Sequence, residues 1–239
     1  MGTERRRESV EPTDDVHVRT LGVGDTLRWS WSALTDRLEL VGFALAVASL
    51  SVVTAFGTSV SAASELPEFE TWVWPVYLVF FLAIAVVWGV AYASSADAVV
   101  NRTRPLGDHV VPVAKRVPAL VAVAIPVWIL TAVGLVLFVL PGVYLFHRLL
   151  LAFPACVVDG KGPLASLKAG WRAGGGNVTK ILAVSLVYLV SVGLSSVASN
   201  ALDPYTLVGG LVSAGMSAVL VPLFGLAFGH LYLEASRNQ

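Results

Sequence analysis

Six long apolar runs, separated by short polar connectors, organise the chain: residues 38–63, 72–100, 117–140, 142–158, 178–200 and 205–233. A membrane-spanning helix needs about 20 apolar residues at 1.5 Å rise each. Five runs meet that length, and the fourth is short. The stretch 117–158 holds 42 residues, roughly 63 Å of helix, about twice the ~30 Å hydrocarbon core. It therefore reads as two crossings, with Pro141-Gly142 as the turn between them. Proline lacks an N–H and stops a helix, and glycine accepts a tight reversal. A partly re-entrant fourth segment is the alternative.

Charge orients these runs. Lys and Arg collect on the cytoplasmic side of membrane proteins. Here they precede run 1, lie between runs 2 and 3 (Arg102, Arg104, Lys115, Arg116) and between runs 4 and 5 (Lys161, Lys168, Arg172, Lys180), and follow run 6 (Arg237). The other connectors hold acids: Glu65, Glu68, Glu70 and Asp203. Six crossings put every basic connector inside, with both termini cytoplasmic in the plasma membrane. Residues 1–20 read as a charged, disordered tail and 21–239 as one membrane domain. Trp72 and Trp74 mark the outer boundary, Trp29, Trp31 and Trp171 the inner one, and Trp88 and Trp128 lie deeper.

Composition agrees with lipid as the main solvent. Of 239 residues 56% are hydrophobic and 13% charged, against about 25% charged in soluble domains. Net charge is zero, so no basic field points to nucleic acid. The fold class expected is all-α: a six-span bundle of three units, each an interfacial helix followed by a helical hairpin. Leu27-Arg28-Trp29-Ser30-Trp31 and Leu167-Lys168-Ala169-Gly170-Trp171 precede runs 1 and 5, and Leu106-Gly107-Asp108 echoes the segment near Leu21-Gly22. Asp25 and Asp108 are the expected N-caps of the first two interfacial helices.

Arg148 is the chemical oddity, a permanent charge inside run 4. An arginine near a span centre costs about 2.5–3.5 kcal/mol on insertion scales, so it should face protein or a headgroup. Asp97 and Glu234 are its candidate ion-pair partners, with His147 and His230 as further polar groups at membrane depth. A guanidinium also forks well onto phosphate. His230 and Glu234 share a helix face at i, i+4, but no third ligand accompanies them, so no metal is expected. Gly225 and Gly229 form a GxxxG in run 6, suited to close helix packing inside the bundle or in a homodimer. Pro126, Pro154 and Pro222 are expected to interrupt runs 3, 4 and 6. Gly174-Gly175-Gly176-Asn177 is expected to end a helix rather than bind an anion. No phosphate loop, nucleophile elbow or zinc-protease motif occurs.

Pro141-Gly142-Val143-Tyr144, Arg148, Leu151-Ala152-Phe153-Pro154, Asp159, Ser166–Trp171 and Gly176-Asn177 follow one another in an order that resembles the integral membrane domain fused to some glycerophosphoryl diester phosphodiesterases, and stand-alone six-span proteins like it. Ser166 stands where alanine is usual, and Gly170 where serine is usual. The resemblance implies six spans and a shared role for Arg148. It implies no activity, because the family name belongs to a separate catalytic domain. The reading is a non-enzymatic membrane protein without cofactor that binds lipids or protein partners. A small transporter using Arg148 as a buried anion contact is the alternative.

Overall fold

Apolar length becomes helix almost throughout the computed structural model, which describes residues 18–60, 67–202 and 206–238. Most of the expected tail, with Glu65, Asp203 and Tyr205, lies outside the described residues. The helices are α1 (Val23–Thr35), α2 (Leu38–Ala55), α3 (Val73–Val99), α4 (Gly107–Leu137), α5 (Val139–Leu149), α6 (Ala152–Val158), α7 (Pro163–Gly174), α8 (Val178–Ala201) and α9 (Leu207–Arg237). Five segments are long and apolar enough to cross a bilayer: α3, α4, Val139–Val158, α8 and α9. A sixth, α2, has 18 residues and follows α1 across an 86° bend. These helices fit a multi-pass membrane protein.

Run 1 is shorter than its apolar residues suggest. Helix α2 stops at Ala55, and the chain forms an antiparallel strand pair, β1 (Thr58–Val60) with β2 (Pro67–Phe69). The β-branched Thr58 and Val60 suit a strand, so the chain is not wholly helical.

Two breaks in the chain follow one steric rule. A proline ring collides with the carbonyl four residues before it. Pro141 stands four after Leu137, where α4 ends and Phe138 turns extended (φ −160°, ψ 142°). Pro154 stands four after Leu150, where α5 gives way to α6. The turn expected at Pro141-Gly142 is therefore at Phe138, and Pro141 lies in the first turn of α5, where its missing N–H costs nothing. Gly142 serves close packing instead: a Cβ there would lie 2.5 Å from the Leu135 nitrogen. Pro126 and Pro222, expected to break runs 3 and 6, lie inside continuous helices. Asp25 and Asp108 sit in first turns, favoured there by the helix dipole, while Gly22 and Leu106 hold the cap positions.

The repeat is clearest in the short helices. Thr26, Ser30, Ala33 and Leu34 are the buried residues of α1; Ser166, Gly170, Ala173 and Gly174 are those of α7. Each pair is 140 residues apart. Both helices start from a glycine with extended backbone, Gly22 and Gly162, whose carbonyls accept from the Thr26 and Ser166 amides at 2.8 Å. The middle unit departs from this pattern, because its amphipathic start is continuous with α4.

Helix α9 carries more buried residues than any other helix and is flanked by α1, α2, α3 and α8. Its GxxxG faces α3: a Cβ on Gly225 would collide with Ala91, and one on Gly229 would lie 2.8 Å from the Ser95 Cβ. The motif thus packs inside the bundle. Gly229→Val is expected to cost about 1–3 kcal/mol by overpacking, read as a lowered Tm by circular dichroism in detergent. Gly193→Ala, with nothing within 4 Å, is expected to leave Tm unchanged or raise it.

Candidate functional site

All connectors rich in Lys and Arg meet at one end of the bundle, and there the three spans that run toward that end each carry an acid. Asp97, Asp159 and Glu234 sit at or near the C-termini of α3, α6 and α9, with side chains only 6–8% exposed. A helix C-terminus carries partial negative charge, and burial strips water from a carboxylate. Each acid therefore needs a cation, and each obtains it from a different segment. Lys180, at the start of α8, reaches both oxygens of Glu234 at 2.7 Å. Arg237 holds Asp159 at 2.8 Å, and Lys161 and the Tyr232 hydroxyl donate to the same carboxylate. Burial alone raises the Asp159 pKa, but the bonds from Lys161 and Tyr232 and the Arg237 charge outweigh it, so the group lies below the ordinary carboxylate range. Asp97 has His109 Nε2 at 2.9 Å and Arg104 Nε at 3.5 Å.

The N-terminal segment is tied to the same end. The Val18 amide donates to Asn238 Oδ1 at 3.1 Å, Asn238 Nδ2 returns a 2.6 Å bond to the Val18 carbonyl, and the Leu21 amide donates to Glu234. His230 is buried against the Trp29 ring of α1 at 4.5 Å. Its Nδ1 lies 3.8 Å from Glu234, an acid already occupied by Lys180. No cluster of three metal-ligating side chains occurs among the described residues.

Arg148 meets neither expected carboxylate, and among the described residues it forms no ion pair. It donates to the Tyr144 hydroxyl at 2.5 Å and lies 4.4 Å over the Trp171 ring of α7. The close approach depends on glycine. A Cβ on Gly174 would lie 2.5 Å from the Arg148 carbonyl, and one on Gly170 would lie 2.7 Å from the Ala152 Cα. A cation held on an indole face gains ~0.5–2 kcal/mol, which substitutes for the missing acid. His147, one position earlier, turns inward and its Nδ1 contacts the Val143 carbonyl at 2.7 Å.

Away from the charged end an apolar cavity of about 530 Å³, open to the outside past Val121, Trp128 and Leu189, lies between α3, α4, α5, α6, α8 and α9. Trp88, Trp128, Phe146, Tyr188 and Phe228 are its aromatic walls. Ser185 opens onto it, buried and with no partner for its hydroxyl. Trp88 packs against Tyr92, Tyr188 and Phe228, whereas Trp128 is largely exposed at the rim. Arg148 is not among the lining residues.

Sequence reasoning singled out Asp97 and Glu234 but missed His109, Arg104 and Lys180 as their partners, and Asp159, with Arg237 and Lys161, as an ion-pair centre. The available signal was positional: one acid near the C-terminal end of each second hairpin helix, with basic connectors beside it. No protein-family profile matches the chain, and comparisons with curated proteins and with solved structures give no match.

Removing one member of a buried pair leaves the other charge unpaired, a loss of about 3–5 kcal/mol. Lys180→Met is expected to lower Tm strongly in detergent. Adding Glu234→Gln should recover part of the loss, and a double-mutant cycle over the four proteins measures the coupling.

Proposed function

We propose that this chain is a six-span, non-catalytic membrane protein that binds lipid, with both termini on the cytoplasmic side. The observation that carries the reading is the aromatic-walled cavity of about 530 Å³. Its volume lies in the roughly 300–1,000 Å³ range of small-molecule sites. Its walls are largely apolar, and the hydroxyls of Ser185, Tyr92 and Tyr188 are the few polar groups they offer a solute. An acyl chain fits such walls, because it needs no hydrogen bonds and leaves none unmade.

Arg148 supports binding over conduction. Its guanidinium lies over Trp171 of α7, bonds Tyr144 of α5 and is absent from the cavity lining, and such a group can also take a lipid phosphate. The orientation is supported by the positive-inside pattern and by the meeting of the basic connectors at one end. Kinship with the membrane domains of glycerophosphoryl diester phosphodiesterases is likewise a proposal, carried by residues 141–177.

Native mass spectrometry of gently extracted protein tests the reading. Wild type is expected to retain lipid adducts, and Ala124→Phe, which fills the cavity from α4, should reduce that occupancy about tenfold while helicity is kept. Equal adducts on both proteins, or none on wild type, would sink the lipid-binding assignment.

A further inference from the structure

A second, smaller cavity of about 290 Å³ lies at the basic end. Its charged lining comprises Arg102, Arg104, Arg237, His109 and Asp97. The backbone beneath it is built with care. Helix α3 ends in a paired closure: the Asn101 amide returns to the Ala98 carbonyl at 3.2 Å and the Arg102 amide to the Asp97 carbonyl at 2.8 Å. Asn101 takes the left-handed conformation this closure requires, φ 50°, which asparagine tolerates better than most residues. The Arg102 carbonyl is held in turn by Arg37 Nη2 at 2.5 Å. Arg102 is thus fixed at its amide and its carbonyl, while its exposed guanidinium forms no ion pair among the described residues.

The charges at this corner do not balance. Asp97 is the one acid in the lining; His109 Nε2 lies 2.9 Å and Arg104 Nε 3.5 Å from its oxygens, while Oδ2 and Nε2 are left without a well-aligned hydrogen bond. Arg237 is shared with Asp159. Arg37 is itself buried, 9% exposed, and faces a carbonyl rather than a carboxylate. Three arginines line the cavity against one carboxylate. Arg104 lies beside Asp97 and Arg237 holds Asp159, so Arg102 is left without an acid among the described residues, and an anion would offset its charge. The cavity is slightly smaller than the usual range for drug-sized ligands, so the anion is small. Guanidinium forks match the oxygens of a phosphate group. Val18, clasped by Asn238, forms one wall, so the N-terminal segment helps complete the site.

We propose that this corner binds a phosphate group through Arg102 and Arg104, with Asp97 and His109 orienting the arginines. The site is separate from the apolar cavity and stands whether or not that cavity holds lipid. The phosphate is either a lipid headgroup or a free anion, and the two sources are separable by experiment.

Full-length protein in maltoside micelles, free of phosphate, is titrated with inorganic phosphate against chloride at matched ionic strength, and separately with phosphatidic acid. Tm is the readout, because a ligand of the folded state raises it. Wild type is expected to be stabilised beyond the chloride control by at least one of the two. Response to phosphate identifies a free-anion site, and response to phosphatidic acid alone identifies a headgroup site. In Arg102→Gln/Arg104→Gln the apparent affinity should fall at least about tenfold, while Arg28→Gln, an exposed control on α1, behaves as wild type. Arg104 also pairs with Asp97, so Arg102→Gln alone, an exposed side chain in no ion pair among the described residues, separates lost binding from lost folding: its affinity should fall while its ligand-free Tm stays that of wild type. Wild type unmoved by either ligand, or a double variant responding like wild type, overturns the proposal.

Discussion

A carboxylate at the C-terminus of a buried helix is unfavourable twice over, through lost water and through the dipole, and this chain places one at the end of three successive hairpins. Asp97, Asp159 and Glu234 become tolerable only when cations from other segments reach them. That requirement ties the bundle together. Lys180 brings the start of α8 to the end of α9, Arg237 brings the end of α9 to α6, and His109 with Arg104 bring the start of α4 to α3. Closure of the α8/α9 hairpin and the joining of neighbouring units depend on the same kind of interaction.

Between the charged end and the apolar interior, small residues decide how near the helices come. In lipid, dispersion and shape matter more than the hydrophobic effect for helix association. Gly225 and Gly229 seat α9 on α3, Gly134 and Gly142 seat α4 on α5, and Gly170 and Gly174 seat α7 on the Arg148–Ala152 segment. The last of these contacts explains how Arg148 is accommodated. With α7 pressed against its backbone, its side chain extends over Trp171 instead of into lipid.

The long apolar helices and the gathering of Lys and Arg at one end were legible because both follow from local composition: apolar length for the one, Lys and Arg placement for the other. The α1/α7 repeat was legible as five residues and proves to extend over the whole buried face at a fixed offset. What stayed hidden was pairing at a distance. Nothing near Arg148 in sequence announces Trp171, and its depth made Asp97 and Glu234 the natural guesses, although each is claimed by a cation closer to the bundle end. The Pro141 turn was misplaced because proline breaks the helix behind itself, not at itself. Strand β1 was read into run 1 because its residues are as apolar as the helix before it.

We propose that the three buried carboxylate–cation ties, at Asp97, Asp159 and Glu234, lie at one face of the membrane. Single cysteines read this directly in intact cells, in a Cys156→Ala background, with a maleimide that cannot cross the bilayer. Thr103→Cys and Lys168→Cys, at the basic end, should label only after permeabilisation, and Ser59→Cys and Glu70→Cys should label at once. Labelling of Thr103→Cys and Lys168→Cys on opposite sides would contradict the account, because the connectors that hold these ties would then be separated by the bilayer.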